Sequence, residues 1–219
     1  IQMGEDKNKI YIIGSPETDY LKKLHKYDIS KIKEIYNISF NKFSIFIFHS
    51  SYNELKNLDK KIKIIIRALK ESKKNYIIIF PNNDTGADVI LKNIKKLKGN
   101  RKFIIFPSIR FEYFINLLKK SEFIIGNSSS GVREAPALGV KSINIGSRQY
   151  QRSNAPQITN CNYDVNQILR AIKKINKSEN IGKSMSFGTG NSNLKFIKII
   201  KTKDFWKTRT QKVFIDQVV

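Results

Sequence analysis

Short apolar runs alternate with longer segments of helical period along most of this chain, and that alternation restricts its fold more than any other feature. The runs are IYIIG (10–14), FSIFIFH (43–49), YIIIF (76–80), FIIF (103–106), FIIG (123–126) and SINIG (142–146). Each is β-branched or aromatic, too short for a buried helix, and apolar on both faces, as strands buried on both sides of a parallel sheet are. Between them, NLDKKIKIIIRALKES, TGADVILKNIKKLKG, RFEYFINLLKK and GVREAPALG place apolar residues three or four apart, the spacing of one helix face. The pattern predicts an α/β fold, an open parallel sheet of about six strands with helices on both faces. DVNQILRAIKKI, SNLKFIKIIK and FWKTRTQKVF follow with no strong strand between them, which predicts a helical C-terminal tail packed back over the sheet. A chain of 219 residues is long enough for one well-buried core, and nothing in it marks a second domain, so a single domain over 1–219 is expected.

In open parallel sheets, ligands bind outside the carboxyl ends of the strands. The residues just after each run are therefore candidate walls of one site: Gly14 and Ser15, His49 and Ser50, Pro81 and Asn82, Pro107 and Ser108, Asn127 to Ser130, and Gly146 to Arg148. The stretch GNSSSGVREAPALGV (126–140) is the most specific of these. Serine suits a helix N-terminus better than the middle of a strand or helix. Ser128, Ser129 and Ser130 fall where a strand hands over to a helix, where unpaired N–H groups and the helix dipole favour a phosphate, a diphosphate above all. Glu134, a turn further on, suits the vicinal hydroxyls of a ribose. A plain helix cap with a solvated Glu134 accounts for the same stretch equally well.

Forty-one Lys and Arg against 18 Asp and Glu give a net charge of +23, which raises the question of a nucleic-acid partner. Thirty-three of the basic residues are Lys, in a chain also rich in Ile and Asn; A/T-rich codons alone produce such a bias. The lysines are spread over nearly every helical segment, with no recognisable nucleic-acid motif, so no specific nucleic-acid partner is expected. One cysteine, Cys161, rules out an internal disulfide framework and reads as a small buried residue. Two histidines far from it give no zinc cluster, so no metal or cofactor is expected; His25, on a Lys-rich stretch, reads as exposed, and Phe205 and Trp206 as a tail-anchoring core. No run is long enough to span a membrane and IQMGEDKNK lacks the apolar core of a signal peptide; a cytoplasmic chain with no membrane partner is the expectation.

GNSSSGVREAPALGVKSINIGSRQYQR resembles the signature of the hydrolysing UDP-N-acetylglucosamine 2-epimerases, the branch that makes N-acetylmannosamine or related sugars for sialic-acid-like nonulosonates. Further blocks resemble that family in order along essentially the whole chain: GEDKNKIYIIGSPETDYL, IFIFHSSYNE, IIIFPNNDTGADVIL, FPSIRFEYFINLLKKSEFIIGNSS, SFGTGNSNLKFIKII and DFWKTRTQKVF. The resemblance implies one Rossmann-like half of a two-domain GT-B fold, with the nucleotide sugar in the cleft between the halves and the first domain absent here, as the start at Ile1 without an initiator Met suggests.

By the same resemblance, Ser128 and Ser129, with Ser130 beside them, hold the diphosphate, Glu134 the ribose, Asn82 and the backbone near Phe106 the uridine side, and Arg148 the sugar-phosphate region. His49 stands near the phosphates and stabilises the departing diphosphate. The implied reaction removes the C2 proton, releases UDP to leave a glucal-like intermediate, and adds water at C1 with the C2 configuration inverted. The family's proton-transferring carboxylates belong to its first domain. The chain departs from the family's usual His-Pro-x-Thr, Gly-Asp-Gly and Thr-Pro at His49-Ser50-Ser51-Tyr52, Gly188-Thr189-Gly190 and Thr208-Arg209. Two alternatives remain at this point, the C-terminal UDP-sugar-binding domain of a GT-B glycosyltransferase and a catalytically silent binding module; a homo-oligomer is also open.

Overall fold

Ile, Phe and Tyr fill most positions of six short strands: β1 (Ser44–Ile47), β2 (Tyr76–Ile79), β3 (Phe103–Phe106), β4 (Ile124–Gly126), β5 (Ser142–Ile145) and β6 (Ile158–Cys161). The structure is a computed structural model that describes residues 5–23, 27–177 and 181–208. Its helices, in chain order, are α1 (Pro16–Lys23), α2 (Ile29–Ile35), α3 (Leu58–Glu71), α4 (Ala87–Lys95), α5 (Phe111–Lys120), α6 (Glu134–Leu138), α7 (Val165–Lys177), α8 (Ser192–Ile200) and α9 (Lys203–Trp206). The chain divides into two compact units, the larger Leu24–Ser186 and the smaller formed by Ile1–Lys23 with Phe187–Val219.

The larger unit carries the sheet, in the order β3-β2-β1-β4-β5-β6 and parallel throughout. Ile47 pairs with Ile79 on one side and Gly126 on the other, so the strands end level and the residues after them share one edge. On α3, Leu58, Ile62, Ile65, Ile66 and Leu69 recur on one face and are buried. They pack into a core with Ile90 and Ile94 of α4 and Ile168 and Ile172 of α7. Each such side chain contributes about 1.5–3 kcal/mol on burial. On the other side α5 packs against α2 and α6, so helices cover both faces and the sheet is α/β and open, as the sequence predicts.

Two strand assignments change. IYIIG forms no strand; it lies in the smaller unit with Ile12 87% exposed, Tyr11 beside Phe205 at 6.3 Å, and the Ser15 N–H donating to the Phe187 carbonyl at 2.7 Å. Apolar composition reports a tendency to be buried, and only a ladder partner makes a run a strand. Gly14 and Ser15 therefore do not follow a strand of the sheet. The sixth strand is instead ITNC, an edge strand buried only at Cys161, whose polar Thr159 and Asn160 break the apolar signal. In the smaller unit the Asp19 carboxylate caps α8, accepting from the N–H groups of Ser192 and Asn193 and the Ser192 hydroxyl. Trp206 does not anchor a core: it is 72% exposed, with its indole N–H on the Ile200 carbonyl. The predicted last helix is observed over Lys203–Trp206; its remainder beyond Thr208 lies outside the described residues.

Candidate functional site

The strand order reverses between β1 and β4, and the crevice at such a switch point is where parallel sheets bind ligands. Gly126 ends β4 at φ 131, and a Cβ there would stand 1.9 Å from the Ile47 carbonyl oxygen, so only glycine lets β4 close on β1 at this level. The next residue, Asn127, donates its N–H to the Ile47 oxygen at 3.1 Å. Its side chain adds one more rung to the ladder: Oδ1 accepts from the His49 N–H at 2.7 Å and Nδ2 donates to the His49 carbonyl at 2.8 Å.

This fixes His49, which is 7% exposed. The Asn82 N–H donates to its Nδ1 at 3.0 Å, so the neutral imidazole carries its proton on Nε2. Burial, reinforced by the positive Arg148 and opposed by Asp84, lowers the His49 pKa from 6.5 to about 4. Arg148, after β5, donates Nη1 to the Asn127 carbonyl at 3.0 Å. Three residues far apart in sequence are thus bound into one constellation, His49 and Arg148 through Asn127 and Asn82 through His49 itself.

The serines follow directly. Ser128 caps a single 3₁₀ turn, Ser129–Gly131, its Oγ accepting from the Ser130 N–H at 3.3 Å, and Ser129 is exposed beside the switch point. The handover is therefore from strand to 3₁₀ turn, and α6 begins only at Glu134. Glu134 is 8% exposed, not solvated as a plain cap would leave it. Phe106 stands apart from His49 at the end of β3, its carbonyl accepting from Phe80 and its ring edge-on to Tyr36 at 5.4 Å. His25 lies outside the described residues.

Sequence reasoning missed two residues of this edge. Glu54, 6% exposed, accepts at Oε1 from the N–H and hydroxyl of Ser147 at 2.8 and 2.9 Å and at Oε2 from the Tyr163 hydroxyl at 2.7 Å. A lone Glu directly after the polar Tyr52-Asn53 pair looks solvated, and Tyr163 follows the strand whose polar pattern hid it. Cys161 is buried and burial pushes its thiol up to about 11, which leaves it no nucleophile. Among the described residues no three His, Cys, Asp or Glu side chains gather as a metal-holding group, and no helix is long and apolar enough to cross a membrane.

An open parallel sheet whose strand order reverses between β1 and β4 is a Rossmann-type fold. The chain belongs to the UDP-N-acetylglucosamine 2-epimerase family, whose sequence model matches residues 1–201. A UDP-N-acetylglucosamine 2-epimerase from Neisseria meningitidis serogroup B is 37% identical over 219 residues, covering 99% of this chain and 58% of that protein. A UDP-N,N'-diacetylbacillosamine 2-epimerase (hydrolyzing) from Legionella pneumophila is 25% identical over 207 residues, covering 92% of this chain and 54% of its own length. The crystal structure of Methanocaldococcus jannaschii UDP-GlcNAc 2-epimerase in complex with UDP-GlcNAc and UDP superposes with a TM-score of 0.71 at 20% identity, over 91% of this chain and 56% of that one. The fold is shared, and this chain spans little more than half the length of these relatives.

Proposed function

We propose that this chain is the nucleotide-sugar-binding part of a hydrolysing UDP-N-acetylglucosamine 2-epimerase, which releases UDP and an N-acetylmannosamine-type sugar for sialic-acid-like nonulosonates. The observation that carries the proposal is the bonded set His49, Asn82, Asn127 and Arg148 at the switch point, with the Ser128–Ser130 turn next to it. The exposed serine turn and Arg148 receive a diphosphate, Glu134 the ribose, and Asn82 with the backbone near Phe106 the uridine side. His49 is neutral at physiological pH with its donor on Nε2, so it gives a hydrogen bond to a phosphate oxygen as negative charge grows there; such a bond strengthens toward the transition state.

In the reaction, a base takes the C2 proton, the C1–O bond breaks with its electron pair leaving on the diphosphate, and water then adds at C1 while C2 regains a proton on its opposite face. The proton-transferring carboxylates are assigned to the part of the family's length that this chain does not match. Hydrolysis is supported by the name of the Legionella relative, and UDP binding by the bound molecules named for the Methanocaldococcus structure.

The test is calorimetry with UDP and UMP on the folded chain. Each charge-assisted bond to the second phosphate adds about 1.5–3 kcal/mol, so UDP should bind at least about tenfold more tightly. Equal affinity, or no binding of either nucleotide, overturns the diphosphate role of Ser128 and Ser129.

A further inference from the structure

We propose that Glu54 is a positioning residue of this site, holding the Gly146–Ser147 turn so that Arg148 is aimed at Asn127 and His49. The ligand named in the test rests on the function proposed above; the positioning role does not. Glu54 lies on a short 3₁₀ turn, Tyr52–Glu54, five residues beyond His49. The groups it binds come from the exits of β5 and β6, and neither strand pairs with β1. Three donors converge on one buried carboxylate, two from Ser147 and one from Tyr163. Lys61 completes the cluster, donating to the Glu54 carbonyl at 3.1 Å and lying 5.0 Å above the Tyr163 ring.

The backbone is shaped to permit this. Gly146 sits at φ 81, and a Cβ there would fall 2.3 Å from the Tyr163 hydroxyl and 2.8 Å from Glu54 Oε1. Any other residue would push the carboxylate off Ser147. Ser147 is followed directly by Arg148, which bonds the Asn127 carbonyl, and Asn127 holds both backbone groups of His49. The connections close on themselves: from His49 along the chain to Glu54, by hydrogen bonds to Ser147, along the chain to Arg148, and by hydrogen bonds through Asn127 back to His49. A buried carboxylate is a costly way to tie loops together when an apolar contact would serve. Its hydrogen bonds fix direction as well as distance, and a long guanidinium side chain needs both to point one way.

The test is a double-mutant cycle on the full chain, reading UDP affinity by calorimetry and Arg148 side-chain order by ¹⁵N relaxation of its Nε–H, with melting curves to check folding. Glu54→Ala should weaken UDP on the order of tenfold and lower the Arg148 order parameter. Glu54→Gln, which keeps an acceptor for Ser147, should recover most of both. In an Arg148→Ala background the Glu54→Ala penalty on UDP should vanish, because the two residues act in series. If Glu54→Ala does not fold, Ser147→Ala removes one of its two clamps and carries the same cycle. An equal penalty with and without Arg148, or an unchanged Arg148 order parameter, overturns the proposal. A parent chain that binds no UDP defeats the ligand reading alone, and the relaxation measurement still decides the positioning role.

Discussion

His49 shows how one side chain's surroundings set a measurable property of the whole chain. An unfolded histidine takes up a proton near pH 6.5, the folded His49 only near 4. Between those values the unfolded state holds more protons, so stability falls as pH drops through that window and is unaffected above it. At about 1.4 kcal/mol per unit, the loss is on the order of 3 kcal/mol by pH 4. His49→Gln removes the titration and still offers an acceptor to the Asn82 N–H. Urea unfolding followed from neutral pH downwards should therefore show the wild-type curve falling relative to the variant, the comparison cancelling the carboxylates that titrate near the lower end. Parallel curves would mean that His49 is not held neutral. The residue itself was legible, because a polar group just after a buried apolar run sits at a strand exit by register alone. Glu54 was not: its importance lies in three donors contributed from positions 147 and 163, and no local pattern near residue 54 announces them.

At the scale of elements, legibility followed the strength of the apolar period. Helix α3 carries apolar residues on a single face, and the predicted segment and the observed Leu58–Glu71 coincide within a residue at each end. The central strands β1, β2 and β4 are buried on both faces and read as such. Edge positions failed in both directions, since β6 needs apolar packing on fewer sides and so carries Thr159 and Asn160, while IYIIG is apolar without a ladder. The same reasoning places the stability of the sheet's helical layer in α3. Ile65 is 0% exposed and belongs to the core shared with α4 and α7, so Ile65→Ala should cost about 2–5 kcal/mol by lost burial and the cavity left behind. Lys60→Ala, on the solvent side of the same helix, should stay within about 0.5 kcal/mol. Denaturant midpoints of the two variants measure the contrast; a similar cost for both would mean that the face assignment of α3 is wrong.

For the whole molecule, the property that sequence composition states most loudly is charge, since 41 basic residues outnumber 18 acidic ones and cannot all be paired. Lys63 with Asp59 and Arg67 with Glu71 form local, solvent-facing ion pairs along α3, and exposed pairs of this kind contribute little. A net charge of +23 therefore remains as a diffuse field over helical surfaces, and a diffuse positive field attracts any polyanion without reading its sequence. Counterion release then governs the outcome: log affinity should fall linearly with log salt, with a slope near −0.9 per phosphate neutralised. A fluorescent DNA duplex should accordingly bind at low salt, lose affinity by orders of magnitude as salt rises, and be released near physiological ionic strength, with a scrambled duplex behaving identically. Anisotropy titrations of both duplexes across salt concentrations measure this. Tight binding of one duplex over the other that survives physiological salt would show that the lysines are organised for recognition, and that the charge is more than the imprint of a codon bias.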